Sequence, residues 1–257
     1  MSGTVYLVGA GPGAPDLLTL RAARILGEAD IVFHDALVHA GTLALAARAQ
    51  KVAVGKRCGR HSTAQRFINK RLVDAARKHK VVVRLKGGDP MLFGRAHEEL
   101  ACLLENRIAF EIVPGVTAAL AASAELGVSL TRRGVARSVV FATPRVAQDA
   151  RPSTWARAVA AADTAVLYMA VGDGAAVAEA LIGQGVSPRK PVAIVENASS
   201  GGSTVFSGTL ADLPQLAARC GAGPALLLVG EVLAAAAREG SGQRLAAPAT
   251  PQAAPRR

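Results

Sequence analysis

Two glycine-containing turns are the clearest candidate ligand-binding segments of this chain. Residues 9–14 read Gly-Ala-Gly-Pro-Gly-Ala, and residues 87–90 read Gly-Gly-Asp-Pro after the β-branched run Val81–Val83. Glycine lets the backbone turn sharply, or approach a ligand without an intervening Cβ. Open α/β sheets bind ligands at the carboxyl ends of their strands, so Asp89 is a candidate contact. The alternative interpretation is a tight strand-to-helix turn with solvated charges.

Asp35 and Lys56 are candidates for proton transfer. Each follows a predicted strand, Asp30–Phe33 and Lys51–Val54 respectively, so both are expected at the same edge of a sheet. An acid and a base placed there could move protons during catalysis. A loop carboxylate and a solvated lysine are the alternative interpretation.

Residues 9–14 also fit the dinucleotide-binding pattern G-x-G-x-x-A, with Asp35 at the end of the next predicted strand. A nicotinamide- or flavin-dependent oxidoreductase is therefore a rival hypothesis. Two residues count against it. Pro12 lacks the backbone N–H that a pyrophosphate loop uses, and Asp16 places a negative charge in the first helical turn.

Predicted strands alternate with helices along most of the chain, which indicates an α/β fold with parallel strands and crossover connections. In the first half, the predicted strands are Thr4–Val8, Asp30–Phe33, Lys51–Val54, Lys80–Leu85 and Phe110–Val113. In the second half, they are Ser138–Ala142, Thr164–Met169, Pro191–Glu196, Ser203–Ser207 and Pro224–Gly230. We expect α/β domains at 1–115 and 116–239, and a disordered tail at 240–257. The first helix is predicted over Asp16–Glu28.

Composition narrows the class of protein. The net charge of +11 is compatible with a nucleic acid or a polyanionic small molecule, but aromatic residues make up only 4%, which disfavours base stacking. We therefore expect no nucleic-acid partner. The three cysteines are widely spaced, so neither a zinc site nor a disulfide framework is predicted. With no membrane span or secretory signal in the pattern, a cytoplasmic protein is expected.

A set of segments in order along the chain resembles the tetrapyrrole methylase family. These segments are VYLVGAGPGAPDLL (5–18), ADIVFHDALV (29–38), VGKRCGRHS (54–62), RLKGGDPMLFGR (84–95), VPGVTAA (113–119), LTRRGVARSV (130–139), VENA (195–198) and SGTLADL (207–213). The resemblance implies two α/β domains with the active site in the cleft between them, and a homodimer. It also implies an enzyme that uses S-adenosylmethionine to methylate uroporphyrinogen III at C2 and C7. The product would be precorrin-2, for sirohaem or cobalamin synthesis, and no metal is required.

The resemblance also assigns roles to residues. Asp35 would be the proton acceptor and Lys56 the proton donor. Contacts with the methyl donor would come from Pro12, Gly87, Gly88, Asp89, Leu92, Thr117, Ala118, Met169, Ala198 and Ala225. Arg84 would matter for the substrate or for the integrity of its loop. Arg84 and Arg132 are also candidate partners for the carboxylates of the acidic substrate, because arginine pairs with carboxylates through two hydrogen bonds. Each could equally be a solvated surface charge.

Overall fold

A computed structural model describes residues 2–54, 65–145 and 153–234. The chain forms two compact units, Met1–Ala121 and Ala122–Arg257. The predicted domain boundary between residues 115 and 116 stays a prediction. The boundary between the two compact units lies a few residues later, inside the helix Ala118–Leu126. No helix among the described residues is long and apolar enough to cross a membrane.

The first unit contains a parallel sheet with helices on both faces. Its strands are β1 (Thr4–Gly9), β2 (Ile31–His34), β3 (Gln50–Ala53), β4 (Val81–Lys86) and β5 (Ala109–Val113). Its helices are α1 (Leu20–Glu28), α2 (Ala40–Ala44), α3 (Gln65–Ala76), α4 (Ala96–Glu105) and the start of α5 (Ala118–Leu126).

The strand order in the first sheet is β3-β2-β4-β1-β5, and every pairing is parallel. Successive residues of β4 point to opposite faces of the sheet, so alternate residues share a face. Val83 and Leu85 pack in the core with Ile25 and Leu26 of α1. Val82 packs on the other face, in the core that includes residues of α3 and α4. The side chains of Arg84 and Lys86 share the face of Val82, which brings two cations against α3 and α4.

The second unit contains a mixed sheet with strand order β6-β7-β10-β8-β9. Its strands are β6 (Val139–Ala142), β7 (Thr164–Tyr168), β8 (Pro191–Glu196), β9 (Thr204–Thr209) and β10 (Ala225–Gly230). Its helices are α6 (Trp155–Ala161), α7 (Gly174–Gly183) and α8 (Leu213–Ala218). An aliphatic core from Leu167, Leu181, Ile194 and Leu227 fills the space between the sheet and these helices.

The predicted α/β fold class is confirmed, with two differences in detail. The first helix begins at Leu20 rather than Asp16, because Thr19 is extended and its hydroxyl caps the helix by accepting a hydrogen bond from the amide of Ala22 at 3.2 Å. The second sheet is not parallel throughout, since only β6 and β7 pair in parallel. Only residues 197–203 join β8 to β9, which suits an antiparallel connection and is too short for a crossover helix.

Candidate functional site

The loops that follow β1, β4 and β5 converge at one edge of the first sheet, because these strands are neighbours. Gly11 and Gly88 exchange two backbone hydrogen bonds, with N···O distances of 3.2 and 2.7 Å. A Cβ on Gly9 would lie 2.6 Å from the Cα of Gly115. Glycine is therefore needed at residues 9 and 115 so that the loop backbones can touch.

Gly88 faces the segment that begins α5. It has a positive φ of 66°, and a Cβ at this position would meet the backbone of Thr117 and Ala118 no closer than 3.9 Å. Among the residues that the structure describes, a Cβ on Gly87 would meet only Leu37, at 3.4 Å. At both residues the described neighbours leave room beside the backbone, and glycine lets a ligand approach that backbone closely.

Asp89 joins two of the converging loops through its carboxylate. Oδ1 accepts a hydrogen bond from the amide of Met91 at 2.8 Å, and Oδ2 accepts one from the amide of Gly115 at 2.9 Å. Leu92 lies in the same loop and donates its amide to the carbonyl of Asp89 at 3.3 Å. The carboxylate therefore shapes the loop directly. Pro12 follows Gly11 in the neighbouring loop and is half-buried.

Three predicted donor contacts lie at one edge of the second sheet. Met169 directly follows β7, whose last residue, Tyr168, pairs with Leu226. Ala225 pairs with the last residue of β8, and Ala198 lies just beyond that strand. Met169 has a φ of 56°, a left-handed conformation that is uncommon without glycine and is concentrated at functional sites.

The segment that carries Ala198 is anchored to α5. The Oε1 atom of Glu125 accepts a hydrogen bond from the amide of Ser199 at 2.6 Å. Asn197 and Ser199, on either side of Ala198, both have positive φ values. Glu196 is buried, and its carboxylate accepts hydrogen bonds from the amides of Gly221 and Gly223, each at 3.1 Å. These bonds fix the backbone before and after the predicted donor contact.

Comparison with known proteins assigns the chain to a family. Residues 4–214 match the model of the Tetrapyrrole (Corrin/Porphyrin) Methylases. The chain belongs to the tetrapyrrole methylase family. The family prediction made from the sequence segments is thereby confirmed.

Relatives and solved structures share most of this chain. A siroheme synthase from Pseudomonas fluorescens is 45% identical over 234 residues, which is 90% of this chain and 50% of the relative. The chain therefore spans about half the length of the siroheme synthases it matches. A structure described as uroporphyrin-III C-methyl transferase from Thermus thermophilus complexed with S-adenyl homocysteine is 41% identical, with a TM-score of 0.80 over 91% of this chain and 100% of that one. A cobalt precorrin-4 methyltransferase structure is 28% identical, with a TM-score of 0.79 over 90% and 95% of the two chains.

The methylase fold places Asp35 beside the end of β4. The amide of Asp35 donates to the carbonyl of Leu85 at 3.3 Å, and its side chain is 29% exposed. Arg84 donates to Asp35 Oδ1 from Nη2 at 2.6 Å. Lys56, the predicted proton donor, lies outside the described residues.

The structure corrects the expectation that Arg84 presents its guanidinium to substrate carboxylates. Its side chain is only 4% exposed and pairs with Asp35 and with the buried Glu99. Lys86 is buried in the same way and pairs with Glu99. Both cations lie on the face of β4 that packs against α3 and α4, so protein carboxylates already neutralise them.

Arg132 lies in a different setting. It opens a tight turn in which Arg132 and Ala136 exchange backbone hydrogen bonds of 2.9 and 2.8 Å around Gly134, which has a φ of 79°. Arg132 and Arg133 are exposed. The turn therefore presents two cations to solvent, as a contact with substrate carboxylates requires.

Two further features concern metals and thiols. Among residues 2–54, 65–145 and 153–234, no group of three or more His, Cys, Asp or Glu residues could hold a metal ion.

Burial raises the pKa of the Cys220 thiol to about 11. Cys220 is therefore protonated near neutral pH and is a poor nucleophile.

Asp89→Ala is expected to weaken the binding of S-adenosylhomocysteine, the product form of the methyl donor, by about tenfold or more. The substitution removes the acceptor of two backbone amides, and an unpaired donor costs about 1–3 kcal/mol. Isothermal titration calorimetry measures the change. Asp74→Ala on α3 is the control, because no hydrogen bond of that side chain joins two loops in the described part of the chain. An unchanged affinity in Asp89→Ala would remove Asp89 from the donor site.

Proposed function

We propose that this chain is an S-adenosylmethionine-dependent C-methyltransferase that methylates uroporphyrinogen III at C2 and C7. The product is precorrin-2, a precursor for sirohaem or cobalamin. The observation that carries the proposal is the match at 41% identity to the whole length of a uroporphyrin-III C-methyl transferase complexed with S-adenyl homocysteine. The cobalt precorrin-4 methyltransferase has a similar TM-score but only 28% identity, so sequence rather than fold favours uroporphyrinogen III as substrate.

The proposed chemistry requires alignment of two substrates and the removal of a proton. S-adenosylmethionine supplies an electrophilic methyl group on a sulfonium. The electron-rich pyrrole carbon forms the new C–C bond as the S–C bond breaks, and holding the two in line is a proximity effect. The methylated ring then loses a proton, for which Asp35 is the proposed acceptor. Lys56 is the proposed donor in the rearrangement of double bonds.

The proposed donor contacts fall into two groups. The contacts in the first unit are Pro12, Gly87, Gly88, Asp89, Leu92, Thr117 and Ala118. The contacts in the second unit are Met169, Ala198 and Ala225. The first group surrounds the converging glycine loops. The second lies at the edge of the other sheet, on backbone that Glu125 and Glu196 hold in place.

The substrate is an octacarboxylate, which gives a use to the net charge of +11. Arg132 remains the proposed partner for one of these carboxylates, because it is exposed on the turn at 132–136. Arg84 is not, since its guanidinium is occupied by Asp35 and Glu99. We also propose that the enzyme is a cytoplasmic homodimer with no nucleic-acid partner.

Ligand-dependent unfolding tests the class of donor. A ligand that binds only the folded state stabilises it by about 2.7 kcal/mol at a concentration of 100 times its Kd. S-adenosylhomocysteine is expected to raise the Tm, and NAD and NADP are expected to leave it unchanged. Stabilisation by the nicotinamide cofactors alone would contradict the proposal and favour the oxidoreductase hypothesis.

A further inference from the structure

Three buried charged side chains lie directly behind Asp35 and form a cluster of four with it. Arg84 and Lys86 on β4 contribute two cations, and Glu99 on α4 and Asp35 after β2 contribute two carboxylates. The side chains of Arg84 and Lys86 are each 4% exposed and that of Glu99 is 0% exposed, whereas that of Asp35 is 29% exposed. Only the carboxylate proposed to take part in catalysis therefore reaches solvent.

The Arg84 guanidinium is fixed by partners on three of its nitrogens. Nε donates to Glu99 Oε1 at 2.9 Å, Nη1 to the carbonyl of Leu85 at 3.2 Å, and Nη2 to Asp35 Oδ1 at 2.6 Å. No hydrogen bond reaches Asp35 Oδ2 from the described part of the chain. Arg84 therefore holds one oxygen of Asp35 and leaves the other for a substrate proton.

Glu99 connects both cations to α4. Its Oε1 accepts from Arg84 and from Gln65 Nε2, the latter at 3.1 Å, and its Oε2 accepts from Lys86 Nζ at 2.8 Å. Glu99 shares one face of α4 with Ala96 and Leu103, and all three residues are buried. Helical spacing therefore places Glu99 in the core. A carboxylate in the core-facing stripe of a helix is costly unless it is paired, and here both of its oxygens are used.

The pKa values of Arg84 and Lys86 depend on burial and on the other charges of the cluster. Burial, with repulsion from Arg84, lowers the pKa of Lys86 below its ordinary value, although Glu99 attracts the ammonium. Burial also opposes the charge of Arg84, but the attraction of Asp35 and Glu99 outweighs it and raises the pKa of Arg84. Without Glu99, two cations would face only the partly exposed Asp35.

We propose that Glu99 is a positioning residue for the methyl-transfer reaction, which orients the Asp35 carboxylate through Arg84. Glu99 does not touch the substrate or donor in this role. It fixes the guanidinium whose Nη2 holds Asp35 Oδ1, and Lys86 and Gln65 fix Glu99 in turn. This role rests on the proposed function, because it assumes that Asp35 accepts the proton.

The test compares Glu99→Gln with Glu105→Gln, an identical change at an exposed position of the same helix. Glutamine keeps the shape of the side chain but turns an N–H group toward one of the two cations. We expect the single-turnover rate of methyl transfer to fall about 10²-fold in Glu99→Gln, the effect of a displacement of about 1 Å at a reacting group. Rates are normalised to S-adenosylhomocysteine binding sites counted by calorimetry, so a loss of folded protein alone would not change them. Glu105→Gln is expected to keep the wild-type rate.

Glu99→Asp keeps the charge and shortens the reach, which covers the case in which Glu99→Gln does not fold. An aspartate at this position cannot reach Arg84 and Lys86 together, so we expect a lower rate with unchanged affinity for S-adenosylhomocysteine. A wild-type rate per binding site in either Glu99 variant would overturn the positioning role. Loss of S-adenosylhomocysteine affinity in proportion to the rate would also overturn it, since the effect would then lie at the donor site.

A double-mutant cycle with Asp35→Asn tests the route through Asp35. Residues that act as one unit have strongly non-additive effects. Glu99→Gln is therefore expected to change the rate less than twofold in the Asp35→Asn background. A full additive loss would contradict action through Asp35. An inactive wild type in the same assay would refute the proposed function itself and this role with it, whereas an active wild type with additive losses would refute the role alone.

Discussion

Asp35→Asn is expected to lower the rate of methyl transfer by about 10²–10⁴-fold, the usual contribution of a positioned general base. Asparagine has nearly the same shape, and its amide oxygen can still accept from Arg84 Nη2, so the substitution removes proton acceptance rather than structure. The side chain is 29% exposed and belongs to none of the converging glycine loops. Affinity for S-adenosylhomocysteine is therefore expected to stay at the wild-type value.

Single-turnover kinetics and calorimetry check this result together. Asp74→Asn on α3 is the matched control and is expected to behave as the wild type. Full activity in Asp35→Asn would show that another group accepts the proton. An equal loss of donor affinity and of rate would place Asp35 in the donor site.

Arg84→Met is expected to lower the free energy of unfolding by about 3–5 kcal/mol, because removing one partner of a buried ion pair leaves an uncompensated buried charge. Methionine fills much of the space of the arginine stem but cannot donate to Glu99 or Asp35. Glu99, with a side chain that is 0% exposed, would keep only Lys86 and Gln65 of its partners among the described residues.

Urea unfolding measures the change in stability. Arg21→Met is the matched control, because the Arg21–Glu111 pair is exposed, with side-chain exposures of 60% and 45%. Exposed pairs contribute about 0–1 kcal/mol, so little change is expected there. Equal effects of the two substitutions would contradict a stabilising role for the buried cluster.

The order of the strands and helices could be read from the sequence because local signals agree with the fold. Val81–Val83, for example, predicts a buried strand, and Gly87 and Gly88 end it. The pairing of the second sheet could not be read in the same way. Strand direction depends on which strand becomes the neighbour, and no local pattern around β10 indicates that it runs antiparallel between β7 and β8.

The candidate site was only partly predictable. The glycine loops and Asp89 are marked by their residue types, but the sequence does not indicate that both Asp89 oxygens accept backbone amides from separate loops. The sequence favours an Arg84 side chain that faces the acidic substrate. It faces α4 instead, because strand alternation places Arg84 on the same side as Val82, in the protein core.

Glu99 was missed for a related reason. It stands beside Glu98 in the sequence, and the two carboxylates differ only in helical phase. Glu98 pairs with Arg95 at the surface, with N···O distances of 2.6 and 2.8 Å, whereas Glu99 faces the core. The spacing of Ala96, Glu99 and Leu103 along one helical face is the signal that could have identified it.

The most direct test of this account is the mass of the product formed from uroporphyrinogen III and S-adenosylmethionine. The full chain is incubated anaerobically with both substrates, and the tetrapyrrole is analysed by mass spectrometry alongside a reaction without the chain. The account predicts a tetrapyrrole with two added methyl groups, formed with two equivalents of S-adenosylhomocysteine. A tetrapyrrole of unchanged mass, from a folded chain that binds S-adenosylhomocysteine, would contradict it.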